Sequence, residues 1–114
     1  MVIEQVTMPA EIRSNLKNGQ GDISFVNLVD KDIMTNCRLM SKMSIPVNGC
    51  IGEHKHMNET EYYIIQMGLA MVLDNGQERS VKAGDVIITG HNESHSIHNK
   101  GNVPLEIIAI IITH

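Results

Sequence analysis

From residue 21 onward, apolar and polar positions alternate in brief runs rich in β-branched residues, and turn formers separate one run from the next. The pattern predicts strands over 23–28, 37–45, 51–56, 61–67, 70–73, 79–81, 86–89, 95–99 and 105–112. Asp74-Asn75-Gly76 is a hairpin signal, because Asn and Gly tolerate the positive φ of a tight primed turn. Residues 99–102, Asn-Lys-Gly-Asn, read as another turn. Ahead of these runs, 9–17 is the best candidate for a helix. Pro9 suits a first turn, Ile12 and Leu16 share a face, and Asn18-Gly19 supplies a stop. Many short strands with punctuated turns indicate an all-β antiparallel sandwich or barrel. The last run, Ile107 to Ile112, is apolar on both faces, so the N-terminal segment or a second subunit is expected to cover its outer side.

At 114 residues the chain is sized for one domain. It carries 13 acidic against 9 basic residues, scattered singly, and only three aromatics, Phe25, Tyr62 and Tyr63, which argues against a nucleic-acid partner. Eight methionines with many Ile and Val must fill the interior instead. No apolar run is long enough to cross a bilayer as a helix, and the first residues lack a signal-peptide pattern. A cytoplasmic protein with Cys37 and Cys50 reduced is therefore expected.

Chemistry concentrates in the histidines. His54 and His56 lie two apart, which on a strand puts both on one face. Glu61 follows a short polar stretch, and His95 lies just after another. Three neutral imidazoles and a carboxylate suit one divalent transition metal: Mn, Fe, Co, Ni, Cu or Zn. Six histidines in a chain this short also produce pairs by chance, so separate surface or core roles are the competing reading. A finger-like site of Cys50 with His54 and His56 lacks a second nearby cysteine, and the methionines read as packing rather than copper ligands.

Two runs resemble the motifs of the cupin superfamily. The first is His54-x-His56, four residues, Glu61, six residues, Gly68. The second is Gly84-Asp85 followed by His95 and Asn99. Asn48 stands where the first motif's opening glycine is expected, and Gly90 and Asn92 replace the second motif's Pro and Gly. The resemblance implies a double-stranded β-helix, the jelly-roll barrel. It would form a single domain over residues 1–114, with a barrel core from about residue 36 to 112 and a short N-terminal helix or extension. It also implies His54, His56, Glu61 and His95 as ligands of one divalent metal, and pairing of subunits into a homodimer.

Strand alternation then places Tyr63, Ile65, Met67 and Ile97 around the metal, giving a mainly apolar cavity. Tyr63 is the one candidate catalytic residue, either donating a hydrogen bond to a ligand or serving as a core aromatic. His91 either borders the cavity or is solvent-exposed, Cys50 lies close to the ligand strand, and His98 points away. Alternation along 37–45 turns Arg38 and Lys42 outward, and Lys55 opposes its flanking histidines. A small dianion such as oxalate is accordingly disfavoured, although one bulge in that strand would bring Arg38 inward. The expected function is a metal-dependent enzyme acting on a small, weakly charged organic molecule. The alternative is a non-catalytic binding or sensor module.

Overall fold

The structure, a computed structural model, describes residues 1–114. Ten strands form two antiparallel sheets: β1 Ala10–Ser14, β2 Asp22–Asn27, β3 Cys37–Ile45, β4 Cys50–Lys55, β5 Glu59–Met67, β6 Leu69–Asp74, β7 Gln77–Lys82, β8 Val86–Thr89, β9 Ser94–Asn99 and β10 Leu105–Thr113. One sheet has the order β1-β2-β3-β10-β5-β8 and the other β4-β9-β6-β7. Every strand expected from the alternation is present. The hairpin at Asn75-Gly76 has φ of 46° and 87°, the positive pair that a primed turn requires.

The helix expected over 9–17 is absent. Ala10–Ser14 instead pairs with β2, from Ala10 opposite Val26 to Ser14 opposite Asp22, with all five residues exposed. Two apolar side chains are too few to hold a nine-residue helix, whereas the edge of β2 satisfies the backbone directly. Asn15, Lys17 and Asn18 take left-handed φ of 52°, 55° and 62°, which no right-handed helix accommodates. The N-terminal part is thus an extension of the larger sheet.

β10 lies in the middle of that sheet, between β3 and β5. Its inner side chains Leu105, Ile107 and Ala109 are buried with Phe25, Met43, Ile45, Ile65 and Ile97 in one continuous core between the sheets, and Ile111 is buried on the same side. Each large aliphatic side chain there contributes roughly 1.5–3 kcal/mol. The outer residues Ile108, Ile110 and Ile112 are only half-buried, and the N-terminal segment does not seal them.

Three bulges interrupt the alternation. In β4, Ile51 pairs with Ile97 and His54 with His95, so one extra residue turns His54 to the same inner side as Ile51. In β5 the shift falls at Gln66, and Met67 emerges on the surface rather than in the cavity where alternation had put it. In β3, Leu39 pairs with Ile111 but Cys37 with Ile112, so Arg38 is the extra residue. Gly52, inside the β4 bulge, lies against the Lys17 carbonyl, where any Cβ would collide with that oxygen.

Asn99 ties the end of β9 to its surroundings. Its buried side-chain amide donates to the carbonyls of Ile45 (3.0 Å) and Val103 (2.9 Å), and its carbonyl accepts from the Gly101 N–H at 2.9 Å. Replacing Asn99 with Ala strands three backbone groups, each costing about 1–3 kcal/mol if left dry. Asn99→Ala should lower the thermal midpoint by on the order of 10 °C in a calorimetric scan. A midpoint within 2 °C of wild type, roughly the shift from half a kcal/mol, would show that water replaces the amide at no cost.

Candidate metal centre

His54 lies near the end of β4, His56 just past it, and His95 on the neighbouring β9, while Glu61 comes from β5 in the other sheet. The four side chains meet between the sheets, with one donor atom from each lying within 4.8 Å of all the others. His56 Nε2 is 3.0 Å from His95 Nε2, and His95 Nε2 is 3.1 Å from His54 Nε2. Glu61 Oε1 is 3.0 Å from His56 Nε2 and 3.2 Å from His95 Nε2.

The outward-facing nitrogens determine what the inner ones offer. His54 Nδ1 lies 2.8 Å from the Gly52 carbonyl, which can only accept, so this nitrogen carries the proton. His56 Nδ1 donates likewise to the Glu59 carboxylate at 2.6 Å. His95 Nδ1 lies 2.8 Å from the Thr89 hydroxyl. In neutral rings so anchored, the Nε2 atoms of His54 and His56 are lone pairs aimed, with a carboxylate, at one point. Such a donor set can hold a metal ion. Three imidazoles and a carboxylate, brought together from both sheets, fit the donor set of one divalent ion, which His54, His56, Glu61 and His95 would hold.

Without a cation, protons on the rings hold the same atoms together. Burial pushes Glu61 up, but hydrogen bonds and charge from His56 and His95 outweigh it and hold the carboxyl at about 2. Burial lowers His54, against the Gly52 carbonyl. For His56 burial is again the largest influence, yet Glu61 and Glu59 together raise it. Tyr63 is buried and stacks on the His95 ring, with centroids 4.9 Å apart and planes at 16°. Burial first, then the Glu61 carboxylate, raises its hydroxyl well above the usual value, so Tyr63 keeps its proton.

A cavity of about 430 Å³ opens beside His54 and His56. Its inner wall is apolar, formed by Phe25, Met43, Ile51, Tyr63 and Ile111. Its rim overturns the expectation that Arg38 and Lys55 turn away from the cavity: Arg13, Lys17, Lys31, Arg38 and Lys55 line it against the single carboxylate of Glu59. Arg38 arrives through the β3 bulge, and its Nε and Nη2 donate to the two Glu59 oxygens at 2.8 Å each. That bond holds Glu59 below the usual carboxylate range, with His56 adding to the effect. A slightly larger cavity of about 480 Å³ under the N-terminal segment shares Arg13, Lys31, Arg38 and Leu39 with this one but contains none of the four donors.

The remaining candidates lie elsewhere. Ile65 and Ile97 are buried in the core without lining the cavity. His91 is exposed and stacks at 6.4 Å on His114, while Cys50 and half-buried His98 face each other across β4 and β9 beside a different cleft. Glu59, Thr89 and the Gly52 carbonyl, which anchor the three rings, were missed from the sequence. The one available signal was Glu59, three residues after His56 in a turn.

A family model for the cupin domain matches residues 41–111. An oxalate-binding protein of Thermotoga maritima is 41% identical over 113 residues, covering 98% of this chain and 93% of that one. The crystal structure of a protein from the same organism, called a predicted oxalate decarboxylase, superimposes with a TM-score of 0.94 at 39% identity over the whole of both chains. A sugar phosphate isomerase of the cupin superfamily from Silicibacter pomeroyi shares the fold at 13% identity, with a TM-score of 0.78 over 100% of this chain and 76% of that one.

Thr89→Val keeps the shape of a buried side chain but removes the partner of His95 Nδ1. Titration with Co(II) should show about 10–100-fold weaker binding than wild type, the usual effect of losing a ring's outer anchor. Unchanged affinity would mean that packing alone orients His95.

Proposed function

The chain belongs to the cupin family, and from that premise we propose that it binds a small dicarboxylate such as oxalate on a divalent metal held by His54, His56, Glu61 and His95. The observation that carries this reading is the β3 bulge, which sets Arg38 at the mouth of the donor-lined cavity in a rim of five cations. Likeness to the oxalate-binding protein of Thermotoga maritima supports it. When bound, such an ion supplies positive charge and open positions for carboxylate oxygens. The rim draws an anion in from solvent, and the guanidinium of Arg38 can pair with a carboxylate two-pronged. The apolar wall excludes water, which strengthens both attractions.

Binding without turnover is the reading favoured over the enzyme acting on a weakly charged molecule. General acid–base catalysis near neutral pH needs a side chain that readily exchanges a proton. Glu61 is ionised inside the cluster, Glu59 is engaged by Arg38 and His56, and Tyr63 holds its proton. His91 and Glu93 lie outside the cavity lining.

Calorimetry with metal-loaded protein should detect one oxalate per chain. Arg38→Ala should weaken it at least about tenfold, the scale of a lost charge-assisted bidentate contact. A His56→Ala, His95→Ala double variant should lose both metal and oxalate. Stoichiometric metal retained in that variant would sink the ligand assignment. Oxalate binding unaffected by Arg38→Ala would remove Arg38 from recognition, and released carbon dioxide or formate would establish turnover.

The chain is also proposed to form a homodimer through the outer face of its larger sheet. Register lines up Met40, Ile110, Tyr62 and Ile88 in one row across four strands, and Lys42, Ile108, Ile64 and Val86 in the next. Ile88 and Val86 are 57% and 54% exposed, so this largely apolar surface lacks a cover. Sedimentation equilibrium at micromolar concentration should find twice the chain mass, and Ile88→Lys should shift the population towards single chains. Single chains alone in the wild type would refute the pairing.

A further inference from the structure

Glu59 touches both the rim and the donor cluster with one carboxylate. Its Oε2 accepts from Arg38 Nη2 at 2.8 Å and from His56 Nδ1 at 2.6 Å, while Oε1 accepts from Arg38 Nε at 2.8 Å. An ordinary surface ion pair would contribute little. This one is different, because the Glu59 side chain is only 15% exposed and its second partner, His56, only 4%. His56 in turn points its other nitrogen at Glu61 and His95, both 3.0 Å away.

We infer that Glu59 couples the cavity mouth to the cluster, so that whatever engages Arg38 sets how tightly a cation is held. The inference rests on the reading of the four donors as a metal site and needs no particular anion. A carboxylate on the Nδ1–H of an imidazole makes Nε2 a stronger donor. Arg38 competes for the same Glu59 oxygen and draws off part of that effect. An anion that neutralises Arg38 returns charge to the His56 side and tightens metal binding. By linkage, a cation in the cluster then strengthens anion binding at Arg38 equally. The guanidinium has donors to spare: two of its five N–H groups are used on the Glu59 edge, the others have no protein partner, and half of the side chain is exposed. Glu59 is therefore a positioning residue with two ends.

The test is a double-mutant cycle with Co(II) as the only ligand, comparing wild type, Arg38→Ala, Glu59→Gln and the double variant. Glu59→Gln should weaken Co(II) binding about 10-fold or more. Arg38→Ala should tighten it several-fold when Glu59 is present and change it by less than about twofold in the Glu59→Gln background, the signature of coupled residues. Glu59→Asp, which keeps the charge but is too short to span both partners, should behave as Glu59→Gln does. Melting of the metal-free variants monitors the fold, since a purely structural role would shift melting without producing non-additive Co(II) affinities. Additive effects, or Glu59→Gln binding Co(II) as wild type does, would overturn the coupling. A wild type that binds Co(II) but not oxalate would sink the dicarboxylate reading and leave this cycle standing.

Discussion

Four electron-rich atoms held about 3 Å apart repel one another unless a cation or protons lie between them, and the architecture at this end of the barrel is organised to keep them there. Neither sheet could do so alone. The three rings come from β4, its continuation and β9, whereas the carboxylate comes from β5 in the opposite layer, so the separation of the two sheets sets the size of the cluster. Each ring is then fixed from behind by a different kind of hydrogen-bond partner: a backbone carbonyl, a carboxylate and a hydroxyl. Repulsion within the cluster is contained by these anchors and by a core whose packing does not depend on them.

The wall and the rim divide the remaining work. Phe25, Met43, Ile51 and Ile111 present no polar atom to a ligand and remove water from one side of the donors, which raises the effective strength of every charge nearby. Stacking of Tyr63 on His95 closes the ring's face and adds a protonated hydroxyl close to Glu61. Cations line the mouth. A small anion of the kind proposed would exchange its hydration for guanidinium and ammonium contacts at this mouth.

Much of this was legible in the sequence, because alternation is reliable wherever a strand is continuous. The nine strands after residue 21, the Asn75-Gly76 turn, the burial of Tyr63 and the convergence of His54, His56, Glu61 and His95 all follow from period-two patterning or motif spacing. The errors fall where the period breaks. A bulge leaves no compositional mark, so alternation puts Met67 inside and Arg38 outside, whereas the extra residue Gln66 turns Met67 out and Arg38 is itself the extra residue of β3. The N-terminal helix failed for another reason: Ile12 and Leu16 have helical spacing, but a free edge on β2 offered the backbone a better set of partners.

Charge shows how an average can mislead about a site. The chain is net negative by four, which argues against a polyanion spread along its surface. A cavity mouth samples only a few side chains, however, and Arg13, Lys17, Lys31, Arg38 and Lys55 come from four separate stretches of sequence in which no basic run can be seen. Folding gathers them by bringing the N-terminal extension, the β2–β3 connection, the β3 bulge and the end of β4 around one opening. The field that matters to a small anion is local over about 10 Å at physiological salt, so the mouth can attract what the whole protein repels.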